Sequence, residues 1–302
     1  MKTAKTLAVI AVILLVVSAC ATTPKEPGMG SPGLKYGVSS DRTGYRVRKG
    51  PFLWATDVII PETYEGFPVT EVRSFGFRDY KRMRSIEIPD SVTDIDIYAF
   101  TGCVNLASVN IPDGVTSISQ GAFSDCTSLA DIKIPNSITS IESWAFNECS
   151  SLTSITVPNS VTHIGEYAFR LCTNLESVTV GSGVTSIGES AFIDCTSLTS
   201  ITLPDGLETI EEHTFWKCSS LTSVIIPDSV TTIKAFAFNR CVSLKSVFIP
   251  RSVTSLASQS FEGCFNLKIY TDWDSEPAGW SNIAHLDNYG VTIVYNAAGI
   301  PE

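Results

Sequence analysis

The residues in this chain most able to do chemistry are its nine cysteines. Eight of them, Cys103, Cys126, Cys149, Cys172, Cys195, Cys218, Cys241 and Cys264, stand 23 residues apart. Cysteines in that number invite a disulfide framework or a metal site. The spacing argues against both. Equivalent positions in stacked coils point the same way, ~4.8 Å apart, whereas a disulfide needs its Cβ atoms within about 4.5 Å. A line of like ligands does not make a tetrahedron, and no Cys-x-x-Cys occurs. A buried free cysteine packs as a small hydrophobe, so the expectation is a ladder of inert thiols.

The other reactive residue types do not converge. His163 and His213 fall at unlike positions of different repeats, and His285 lies near the C-terminus. No His-Glu-x-x-His, Gly-x-Ser-x-Gly or phosphate loop is present. Glu211 and Glu212 are adjacent, so their side chains point apart on a solvated turn, and Gly181-Ser182-Gly183 is turn chemistry. Catalysis needs residues that break the pattern and meet. None does, so the chain is read as a non-enzyme with no cofactor and no metal. The rival in that class is an active site in the irregular ends, around His285 or Asp287.

The cysteine step is shared by a phenylalanine series from Phe100 to Phe261 and a leucine series from Leu106 to Leu267. A period that regular means a stack of short units, each burying its apolar face against its neighbours. Within one unit, Leu152-x-x-Ile155-x-Val157 alternates as a half-buried strand. Pro158 ends it, Asn159-Ser160 turns the chain, and Val161 and Ile164 form a second inward pair. Glu166 to Phe169 has room for a helical turn or two. The fold expected is a right-handed repeat solenoid of parallel strands and short helical turns, its eight regular coils forming a rod roughly 40 Å long. A degenerate repeat precedes them, with Tyr80 in the cysteine position. Residues 34–65 read as an N-terminal cap, 66–267 as repeats and 268–302, where the period fails, as a C-terminal cap.

The unit Ile226-Pro227-Asp228-Ser229-Val230-Thr231-Thr232-Ile233, continued through Ala237-Phe238 to Cys241, resembles the BspA-type leucine-rich repeat over residues 57–270. That resemblance implies a bacterial leucine-rich-repeat protein that works by binding; relatives include surface adhesins and lipoproteins.

The N-terminus supplies an address. Met1-Lys2-Thr3-Ala4-Lys5 is basic, and Thr6 to Val17 is an apolar run too short to span a membrane comfortably. Val17-Ser18-Ala19-Cys20 then resembles a lipobox, which makes 1–19 a signal peptide, Cys20 the lipidated residue and 20–33 a Pro/Gly-rich tether. An ordinary signal peptide with an incidental cysteine is the alternative. Cleavage takes the net charge from −10 to −12 by removing Lys2 and Lys5, which disfavours nucleic acid as a partner.

The side chains that break the outward pattern are apolar. One outward strand column is almost all serine, including Ser223 and Ser246. Its neighbour runs Glu87, Asn110, Lys133, Thr156, Thr179, Thr202, Ile225, Phe248. Thr202, Ser223, Ile225, Ser246 and Phe248 are therefore the ligand-contact candidates; the competing reading is that the C-terminal cap folds over Ile225 and Phe248. A second irregular column, Tyr98, Gly121, Trp144, Tyr167, Ser190, His213, Phe236 and Gln259, reads as shielding for the turns, or else as a stacking surface for sugars. The expected function is a lipid-anchored protein of the bacterial outer membrane or cell surface, an adhesin or receptor-like module whose strand face takes a protein or glycan. A periplasm-facing structural or assembly lipoprotein is the alternative.

Overall fold

The structure, a computed structural model, describes residues 30–280 and 288–299. The signal segment, Cys20, most of the tether, His285 and Asp287 lie outside the described residues.

The chain winds as a parallel β-solenoid. The longer strands form one side: Asp57–Ile59, Ser85–Glu87 and Ser108–Val109 pair as a three-stranded sheet. After an unpaired passage at 130–134, a seven-stranded parallel sheet runs from Ser154–Thr156 to Thr292–Val294. Its register joins equivalent residues, Ser200↔Ser223↔Ser246 and Thr202↔Ile225↔Phe248. Two-residue strands such as Ser140–Ile141 and His163–Ile164 make a second side, also parallel and in phase. The inward residues of both sides, with the phenylalanine, cysteine and leucine columns, close one continuous core. Phe77 through Phe261 stack ring on ring, with centroids 5.2 to 5.6 Å apart.

The third side departs from expectation: it holds turns instead of helical turns. Two residues per coil sit in the left-handed region, one series being Tyr98, Gly121, Trp144, Tyr167, Ser190, His213 and Phe236, the other including Asp125, Glu148, Leu171, Asp194, Lys217 and Arg240. Each left-handed residue breaks a nascent helix and swings its N–H toward the next coil. Trp144 donates to the Glu166 carbonyl, Phe146 to Ala168 and Glu148 to Arg170, at 2.9, 2.8 and 2.7 Å. A helix would have kept those bonds within the coil; the turns use them to tie coils together.

Both ends extend the ladder further than the repeat count implies. Leu34–Val38 and Tyr45–Lys49 form an antiparallel hairpin whose second strand adds in parallel to Phe67–Val72. Gly30 to Gly33, assigned to the tether by sequence, lies on the first coil, where Ser31 is buried and bonds to both the N–H and C=O of Ile59. At the far end Lys268–Thr271 pairs with Ser246–Ile249 and then with Thr292–Val294. The period appears to the eye to fail there because one residue is missing between Leu267 and the strand: Lys268 faces Ser246, 22 positions back.

Candidate functional site

The five predicted contact residues share one surface because the strands that carry them are in register. Phe248 also faces Tyr270, and Tyr270 faces Val294. The C-terminal segment thus adds strands beside Phe248 and lengthens the apolar column, where the alternative reading had it folding over. Ile225 is 68 % exposed and Val294 40 %, while Phe248 and Tyr270, each flanked on both sides, are half-buried. The outward column therefore changes from Lys133, Thr156, Thr179 and Thr202 to Ile225, Phe248, Tyr270 and Val294 along the rod. Tyr270 escaped sequence analysis because the missing residue places it 22 positions after Phe248; Val294, 24 positions after Tyr270, is back on the 23-residue count but lies beyond that break.

The neighbouring serine column and Thr202, one coil before Ile225, supply hydrogen-bonding capacity. The hydroxyls of Ser200, Thr202, Ser223 and Ser246 have no hydrogen-bond partner among the described residues. By contrast, Thr139, Thr162 and Thr185 on the second side each donate to the carbonyl one coil back, at 3.1 to 3.3 Å. The hydroxyls beside the apolar column are thus left free, whereas these second-side threonines serve the stack. Further back on the same face, a groove of 680 Å³ with mixed lining runs past Ile132, Lys133, Thr156, Asn159 and Val180, beginning where the strand pairing is interrupted.

The eight periodic cysteines lie inside, free and buried. Each thiol from Cys103 to Cys264 approaches the carbonyl of the phenylalanine one coil and three residues back, at 3.1 to 3.3 Å. Burial pushes the thiols from Cys103 to Cys241 up, Cys103 to about 12, and holds them protonated. Tyr80, in the same position of the first repeat, reaches out to the carbonyls of Leu53 and Ala55 instead. His163 Nδ1 stands 3.2 Å from Ser186 Oγ, one coil on, with no carboxylate bonded to the ring. Among the described residues no three His, Cys, Asp or Glu side chains gather as a metal site.

The irregular aromatic column packs against itself. Phe75 stacks on Tyr98, Trp144 on Tyr167 and His213 on Phe236, at 5.3, 4.3 and 5.0 Å. Between the pairs stand Gly121 and Ser190.

The profile of the BspA-type leucine-rich repeat region matches residues 70–198 and 140–268, in six copies. A crystal structure of a leucine-rich repeat protein from Bacteroides ovatus is 28 % identical, with a TM-score of 0.75 over 92 % of this chain and 71 % of that one. A T. pallidum leucine-rich repeat protein is 29 % identical, with a TM-score of 0.55 over 73 % of this chain and 91 % of that one. Among curated proteins no relative matches.

Proposed function

Since the chain belongs to the BspA-type leucine-rich-repeat family, we propose that it is a non-catalytic binding protein, anchored through Cys20 to the bacterial outer membrane or cell surface, whose strand face takes a protein or glycan. The observation that carries this reading is the outward apolar run of Ile225, Phe248, Tyr270 and Val294, exposed at Ile225 and Val294, set beside unbonded serine hydroxyls. Apolar anchors surrounded by hydrogen-bonding groups are the usual anatomy of a recognition surface. The groove further along the face, lined by both polar and apolar side chains, lets an extended ligand continue past the anchors.

The test joins location to binding. Intact cells carrying the chain are treated with protease beside a periplasmic marker. Untreated cells are then assayed for attachment to mucin and to serum-protein coats, with an Ile225→Asp variant in parallel. The reading expects digestion of the rod with the marker spared, and attachment that falls at least tenfold in the variant. Protection of the rod until the envelope is opened would replace the surface role with a periplasmic one. Equal attachment by the variant would remove the strand face as the binding site.

A further inference from the structure

The aromatic column of the third side is interrupted every third coil, at Gly121, Ser190 and Gln259. The first two interruptions are filled. A Cβ added at Gly121 would lie 2.3 Å from the Tyr98 ring, so that ring already covers the gap, and Ser190 is 2 % exposed. At the third, where Gln259 is half-buried, no ring stacks on the other face of Phe236 among the described residues, and a groove of 490 Å³ borders Phe236. That volume falls in the ~300–1,000 Å³ range of small-ligand sites.

The groove brings together aromatic surfaces and fixed polar groups from four coils. Trp216, Phe236, Phe265 and Tyr289 line it, with Phe265 half exposed and packed edge-on to Tyr289 at 5.9 Å. A polar chain runs along the floor. Trp216 Nε1 donates to Asn239 Oδ1 at 3.0 Å, Asn239 Nδ2 to Glu262 Oε2 at 3.3 Å, and the Tyr289 hydroxyl to Glu262 Oε1 at 2.9 Å. Arg240 is also in the lining, exposed, with neither an ion pair nor a side-chain hydrogen bond among the described residues.

These contents select among ligand chemistries. A purely apolar ligand would bury the Glu262 carboxylate and the Arg240 guanidinium without giving either a new partner, which is costly. A strongly charged ligand would be drawn to one of them and repelled by the other. A cation seeking the Trp216 ring would find Lys217 there already, its Nζ 4.1 Å from the ring centre. A pyranose meets every requirement. Its C–H face lies on an aromatic ring, and its hydroxyls both donate to a carboxylate and accept from a guanidinium. We infer that this groove is a binding site for a neutral saccharide, separate from the strand face and independent of what the strand face binds.

The experiment uses the folded exported chain and a set of hexasaccharides (cellohexaose, maltohexaose, mannohexaose and oligogalacturonate) followed by saturation-transfer NMR and calorimetry. The inference expects binding to at least one neutral member. Arg240→Ala and Phe265→Ala, both surface changes that spare the core, should each weaken it at least tenfold. Ile225→Asp should leave it unchanged. Absence of binding to all three neutral sugars, binding of oligogalacturonate alone, or neutral-sugar binding untouched by the Arg240 and Phe265 changes would overturn it.

Discussion

The thiol of Cys172 donates to the carbonyl oxygen of Phe146 at 3.2 Å, and the same carbonyl accepts the backbone N–H of Cys149 at 3.2 Å. One phenylalanine carbonyl per coil therefore takes two bonds, one closing its own turn and one from the coil that follows. Cysteine suits the position because it fills a small apolar site and still offers a weak donor.

This arrangement makes stability depend on alkaline pH. The thiols from Cys103 to Cys241 titrate above their ordinary value, Cys103 at about 12, whereas in the unfolded chain they titrate near ~8.5. Above that point the unfolded chain binds fewer protons than the folded one, so stability falls as pH rises. It is fully present below ~8.5 and lost progressively toward the folded values, at about 1.4 kcal/mol per pH unit for each thiol. Cys172→Ala is expected to lower stability by about 1–2 kcal/mol at neutral pH and to make the alkaline slope shallower by the share of one thiol. Tyr36, also raised to about 12, adds to both proteins and cancels in the comparison. Urea midpoints from pH 6 to 11 decide the matter; parallel alkaline slopes would contradict the buried-thiol account.

The left-handed positions give a second expectation. Gly121 has φ +59°, and a Cβ there meets the Tyr98 ring at 2.3 Å. Gly121→Ala combines a left-handed strain of ~1–2 kcal/mol with a clash. Adding Tyr98→Ala should relieve the clash and leave the strain. Leu171, at φ +57°, behaves in the opposite sense: Leu171→Gly should stay within about 1 kcal/mol of the parent, although Leu175→Ala, four residues on in the core, costs about 2–5 kcal/mol. Denaturation of the four variants tests the pattern, and a Leu171→Gly loss as large as that of Leu175→Ala would refute it.

The columns were legible in the sequence because burial in a stack constrains residue type at every turn: Phe146, Cys149, Leu152 and Ile155 recur as Phe169, Cys172, Leu175 and Val178. The third side was not. Trp144, Tyr167 and Leu171 are poor left-handed formers, so nothing in their types announces the turn geometry. There, inter-coil hydrogen bonds outweigh local preference. Of the strand-face residues, Ile225 and Phe248 stood out by breaking a column of threonines. Tyr270 did not, since one absent residue before Lys268 moved it off the count. The groove at Arg240 and Glu262 draws on four coils, and no single repeat displays it.

Ile225 and Phe248 are neighbours on one face, yet they should respond differently to charge. Ile225 is 68 % exposed, so Ile225→Lys is expected to change stability by no more than about 0.5 kcal/mol. Phe248 sits between Ile225 and Tyr270 and is half-buried; Phe248→Lys removes part of that packing and should cost about 1–3 kcal/mol. Thermal melts of the two variants test this, and equal losses would show that the column is packed alike along its length. The difference makes Ile225 the cleaner site at which to separate binding from folding.

The C-terminal end should fail locally when its plug is removed. Trp280 is 2 % exposed, bridges to Leu256, and donates from Nε1 to the Val253 carbonyl at 3.0 Å. It covers the core where the short-strand side ends. Trp280→Ala should cost about 3–5 kcal/mol. Because each coil touches only its neighbours, that loss belongs to the last coils and fades along the rod. Amide exchange should therefore accelerate at Thr254 and Ala257, whose N–H groups bond to Thr231 and Ile233, while Thr139 and Glu142, five coils further back, keep their protection. Trp280→Phe retains most of the packing and gives up only the indole bond, so its effect should be about 1 kcal/mol. If exchange rises equally at Glu142 and Ala257, the solenoid unfolds as one unit and Trp280 is coupled to all of it.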